Sequence, residues 1–291
     1  MRLGFTLLVA LETLGVPNAP QANLPPGIRN ARLETRSAAA GLEGVFRGLL
    51  SGPLPTAWIG YAFPATGRQR RCCCGFREDG EDERMGCPRE GGPDASPCQG
   101  ESPAPEIREA PARLRVFFWI DGGRIHRLRM SDEDCGLDLC GQPLVWLTDV
   151  KPVESVGLLA SLPGEDAHLA GPALAAIAFH ADAQAVDVLL NLARSAPSTS
   201  VRGQALFWLA HRAGERAVAG ITRALAEDPE TDVKKKAVFA LSRLPRDRGV
   251  PLLIETARSN RNPAVRRQAM FWLGQSNDPR ALAYFEEVLK P

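Results

Sequence analysis

VRGQALFWL, at Val201–Leu209, returns as VKKKAVFAL at Val233–Leu241 and as VRRQAMFWL at Val265–Leu273, each copy starting 32 residues after the last. Stepping back from Val201 by the same interval meets Leu169, Ala173, Leu174 and Ile177, a fainter first copy. The residues that follow keep the register. Arg216, Arg248 and Arg280 align, with Gln184 before them. So do Val186, Val218, Val250 and Leu282, and then Leu189, Ile221, Leu253 and Phe285. Ala193, Leu225, Ala257 and Leu289 close each unit. Self-similarity at a fixed stride is the signature of stacked repeats.

The spacing identifies the unit. Val201, Ala205, Trp208 and Leu209 fall on one face of a helix, and Val218, Ile221 and Leu225 on one face of a second. Gly214 lies in the short turn between them, and Asp228-Pro229 ends the pair, because a residue before proline is pushed out of helical geometry. One hairpin cannot bury both apolar stripes, so neighbours must share them. The recurring Ala173, Ala205, Ala237 and Ala269 mark where the helices approach most closely.

These units resemble HEAT repeats, in particular the short variety of phycobilisome-lyase-like proteins. The resemblance rests on Val-Arg-x-x-Ala at 201–205 and 265–269 and covers roughly residues 169 to 290. Lys234-Lys235-Lys236 departs from it, since that pattern carries a single basic residue there. The ankyrin Thr-Pro-Leu-His motif is missing and the tetratricopeptide spacing does not fit. The resemblance implies an α-solenoid that binds another protein, and it is uninformative about which one. The layout also looks like that of exported bacterial HEAT-repeat proteins.

Outward from the repeats, the 291 residues leave room for a second domain. A β-prone run at Leu114–Ile120, the turn Asp121-Gly122-Gly123 and the alternating run Arg124–Met130 predict a hairpin. Trp58–Phe63 and Leu144–Val150 read as further strands, and Val153–Leu162 as a helix ended by Pro163-Gly164. Leu33, Leu42, Val45, Phe46 and Leu49 predict a helix over 31–50, after a Pro-rich linker at 20–30. The expected fold is therefore an α+β module at 28–150, built on a single antiparallel sheet, followed by an all-α HEAT-like solenoid at 152–291. Residues 76–111, rich in Gly, Pro and carboxylates, read as a long disordered loop within the module.

The chain opens with one arginine, a short apolar run from Leu3 to Leu11 and a small-residue region, so residues 1–22 resemble an export signal. The expected location is exported or periplasmic, with the cytoplasm as the alternative. The apolar run is too short to span a membrane, which takes about 20 residues.

A net charge of +1 demands neither a nucleic acid nor an acidic membrane. None of His126, His168, His180 and His211 is followed by Glu, so the His-Glu pairs of a di-iron hydroxylase are missing. All seven cysteines lie between Cys72 and Cys140, without Cys-x-x-Cys spacing, so disulfides are favoured over zinc. Cys135 and Cys140 are the candidate bridge. No catalytic triad, phosphate loop, metal site or cofactor is expected.

Charge is uneven along the chain. Residues 201–291 carry sixteen basic and ten acidic side chains, and residues 77–109 carry four and ten. Arg216, Arg223, Arg248 and Arg280, on second helices expected to line the concave side, are the candidate binding residues for carboxylates of a partner. Phe207, Phe239, Phe271, Trp208 and Trp272 are expected in the core. The function read from these residues is a non-catalytic protein–protein scaffold of unspecified oligomeric state. The alternative is a lyase-type or redox enzyme, or an accessory to one, using the cysteine-containing module.

Overall fold

A computed structural model describes residues 24–52, 56–66, 113–133, 137–212 and 214–290. The expected signal at 1–22 and the acidic loop at 76–111 lie outside them.

The module is a five-stranded sheet. Its strands are β1 (Ile28–Ser37), β2 (Ala57–Pro64), β3 (Arg113–Asp121), β4 (Arg124–Asp132) and β5 (Leu137–Thr148), in spatial order β1-β5-β2-β3-β4. The predicted hairpin is β3–β4, turning at Gly122 and Gly123, both at positive φ.

Three expectations are corrected. First, the sheet is mixed: β5 runs parallel to both β1 and β2, and only β2–β3 and β3–β4 are antiparallel. β1, α1 (Leu42–Ser51) and β2 form a crossover with β5 inserted between its strands, the split βαβ arrangement. Second, the helix expected over 31–50 is β1 followed by α1. Leu33 belongs to the two-residue alternation of Ala31, Leu33 and Thr35, while Leu42, Phe46 and Leu49 are the buried stripe of α1. Gly41 separates them with φ of 124°, a conformation closed to residues with a side chain. Third, Pro163-Gly164 does not end the helix after the sheet. α2 runs from Pro152 to Glu165, and Pro163 sits in its last turns, where Asp166 N–H still reaches Leu162 O at 3.1 Å.

One sheet face is covered by α1 and α2. Phe46 meets Phe118 edge-on at 4.8 Å, and Ser155 of α2 hydrogen-bonds Tyr61 Oη at 3.1 Å. Burial pushes the Tyr61 phenol well above its usual range, so the ring stays neutral.

The solenoid follows. Its first helices are α3 (Ala170–Phe179), α5 (Thr199–Arg212), α7 (Thr231–Arg243) and α9 (Pro263–Gln275). Its second helices are α4 (Gln184–Ser195), α6 (Glu215–Glu227), α8 (Arg246–Ser259) and α10 (Pro279–Leu289). Asn262 and Asp278 cap α9 and α10, accepting from Ala264 N and Arg280 N at 2.9 Å, with Pro263 and Pro279 next in each helix. Ala173, Ala205, Ala237 and Ala269 are all fully buried, as the repeat required. No helix among the described residues is long and apolar enough to cross a membrane.

One apolar core runs unbroken from Leu42 and Phe46 through the sheet to Tyr284. A two-bond β-bridge reinforces the junction. Thr66 N–H donates to Phe179 O and Ala181 N–H to Pro64 O, both at 2.8 Å. Arg212 clamps the same point from α5, donating to Thr66 Oγ1 at 2.6 Å and to Ala178 O and His180 O at 3.1 Å.

Candidate functional site

The two rows of the solenoid differ chemically. On the second-helix row, Arg216 of α6 pairs with Asp187 of α4. Arg223 lies 3.9 Å from Glu227 one turn on. Arg280 grips Asp278 through Nε at 2.9 Å and Nη2 at 2.8 Å, and Nη2 also donates to Arg246 O. The Arg280 hydrogen bonds hold the Asp278 carboxyl down at about 2. Arg248 is exposed on α8. Three of the four candidate arginines are thus engaged by carboxylates of this same chain.

A different basic column supports the stack. Arg202, Lys234 and Arg266 occupy one repeat position, and each reaches back to carbonyls that end the preceding second helix. Arg202 Nη1 donates to Ala196 O at 2.9 Å, Lys234 Nζ to Ala226 O at 3.1 Å and Arg266 Nη1 to Asn260 O at 2.8 Å. Cations suit these sites because the last carbonyls of a helix lack intrahelical donors. Arg202 also makes a two-pronged, buried pair with Asp228, Nε to Oδ2 at 2.8 Å and Nη2 to Oδ1 at 3.2 Å. The sequence signal for this column was the recurring basic residue after Val201, Val233 and Val265. Lys234, the first of the three lysines, fills the role of the arginine.

The aromatic column is core only in part: Phe207 and Trp272 pack against the core while Phe271 does not. Phe207 and Phe239 are half-buried, and Phe271 is 55% exposed. The rings form a continuous ladder. Phe207 stacks on Phe239 at 5.8 Å and 7°, Phe239 meets Trp272 at 4.9 Å, and Trp272 meets Phe271 at 5.0 Å. His211 lies against Phe207 and Trp208 at 4.9 and 5.1 Å, and burial, followed by Arg243, lowers its pKa. Trp208 itself is buried, as expected. These first helices also contact one another more extensively than the second helices do.

A family model described as HEAT repeats matches residues 186–258 and 218–291. Residues 186–291 are HEAT repeats. No curated protein is significantly similar to the chain. The matched residues begin within α4; α3 lies before them and packs against α4 and α5.

The module offers a separate cleft of about 670 Å³ between β1, β5 and the strand ends, lined by Leu33, Thr35, Arg115, Trp146 and Asp149. Arg115 is 1% exposed and ties residue 26 to the sheet, donating to Pro26 O at 2.5 Å and Asp132 O at 2.6 Å. Among the described residues, no three His, Cys, Asp or Glu side chains come together as metal ligands. Cys140 is disulfide-bonded, while Cys135 and the other five cysteines lie outside the described residues.

Proposed function

We propose that this chain is a non-catalytic scaffold that binds another protein through its HEAT solenoid. HEAT repeats generally mediate protein–protein interaction. The observation that carries the reading is the solenoid fused to the module by one core, which holds an extended, side-chain-rich surface at fixed geometry. The disulfide at Cys140 supports work in an oxidising compartment, hence export.

The test is affinity capture from the envelope fraction of the source cell with photo-crosslinkers placed in turn on the solenoid and on the module. Crosslinks from one partner that cluster on α3–α10 are expected. Crosslinks confined to the module, or none above background, would remove the reading. Thiol counting with and without reductant, paired with metal analysis, separates it from an enzyme or enzyme accessory. Bound metal or a reactive, low-pKa thiol would favour the enzyme.

A further inference from the structure

The three HEAT helices α5, α7 and α9 contain a single carboxylate, Asp232, and it is held by Lys235 at 3.1 Å. The second helices α4, α6, α8 and α10 contain seven: Asp187, Glu215, Glu227, Asp247, Glu255, Glu286 and Glu287. Basic residues number eight on the first of these rows and seven on the second, so the first row is strongly positive while the second is balanced. On the first row, Arg202, Arg212, Lys234 and Arg266 are used internally. Lys236, Arg243 and Arg267 carry no ion pair among the described residues. Lys236 and Arg243 stand three and four residues from Phe239 on α7, and Arg267 four from Phe271 on α9, so they share the helix faces that carry the rings. The stem of Lys236 crosses to the neighbouring helix, lying where a side chain on Gly203 would be.

From this juxtaposition we infer that the first-helix row is the docking surface for an acidic, aromatic-bearing segment of another protein, laid across the helices. Charge complementarity selects the acid, and exposed rings beside cations make the chemistry of an interface hot spot. The spacing selects the conformation. Packed helices lie about 8–10 Å apart, and a polyproline II chain advances about 9 Å for each turn of three residues. Such a chain presents every third side chain to successive rungs, with carboxylates between them for Lys236, Arg243 and Arg267. The inference rests on the scaffold reading and narrows it to one face and one ligand chemistry.

The probe is a fluorescein-labelled peptide of repeated Phe-Glu-Glu triplets, titrated into the full chain and followed by anisotropy. Binding is expected, weakened about tenfold or more by Lys236→Glu, Arg243→Glu or Phe239→Ala, and weakened by salt. Arg223→Ala, on the other row, should leave it unchanged. A Phe-Lys-Lys peptide should not bind. To exclude self-occupancy, the titration is repeated on a chain with Glu78, Asp79, Glu81, Asp82 and Glu83 converted to their amides. Failure of both chains to bind, or binding indifferent to Lys236→Glu and Arg243→Glu, overturns the proposal. Partner crosslinks confined to the second-helix row would also overturn it while leaving the scaffold reading in place.

Discussion

Acid should loosen the junction between sheet and solenoid through one side chain. His180 is fully buried, its ring stacked on Phe63 at 4.6 Å and 6°. Its Nδ1 accepts from Asp182 N–H at 3.2 Å, and its Nε2 has no hydrogen-bond partner. Burial lowers its pKa from an ordinary 6.5 to about 4. Asp182 opposes that shift and Arg212 reinforces it. The sign follows from which state binds the proton. Above 6.5 the imidazole is neutral folded and unfolded alike, so the contribution is complete. Below 6.5 the unfolded chain takes up a proton that the folded chain refuses until about 4. Each pH unit crossed in that window costs about 1.4 kcal/mol, so the loss approaches ~3 kcal/mol. His211 also titrates on this side of neutrality, its pKa lowered by burial and then by Arg243. The comparison with His180→Asn isolates the histidine. Urea unfolding of both proteins, followed by tryptophan fluorescence, should show their stability difference shifting by ~3 kcal/mol between about pH 7 and pH 4. A difference flat across that range would refute the buried, neutral imidazole.

We predict three further outcomes, each read from denaturant melts. Asp228→Ala strands the Arg202 guanidinium, whose side chain is 10% exposed, and should cost about 3–5 kcal/mol; pairing it with Arg202→Met should recover much of that loss. Gly249→Ala places a methyl 2.5 Å from the Leu241 carbonyl oxygen, where backbone must move, and should destabilise by about 1–3 kcal/mol. Ala237→Leu should cost a similar ~1–3 kcal/mol by forcing α7 away from its neighbours, with little change if the site can open.

The solenoid was legible because its stabilising contacts repeat. One buried alanine in each first helix and one apolar stripe in each second helix recur at a constant interval, so the sequence states the packing four times over. The sheet is stated once. β1 meets β5 across more than a hundred residues, Ser37 against Thr148 for instance, and local pattern carries no information about such pairing. Its polar composition hid it too. Arg29, Arg32, Glu34 and Arg36 are exposed, which suits an edge strand and resembles a helix surface. The basic columns were visible as recurring letters, but periodicity does not say which way a side chain turns. Arg216 and Arg280 were plausible ligand groups until Asp187 and Asp278 were seen beside them. The Phe207–Phe239–Phe271 column recurs at the same interval as the core alanines, yet Phe271 is exposed. A ladder of half-buried rings obeys the same period as a core.

The β-bridge at Ala65 and His180, with Arg212 locked across it, makes the helical stack a cantilever. Its root is welded to the sheet, and each hairpin farther along is braced only by the one before it. A load on Phe271 and its neighbours, remote from the sheet, should bend the stack as a spring, with deflection accumulating hairpin by hairpin. The same load applied near Phe179 would be carried straight into the sheet.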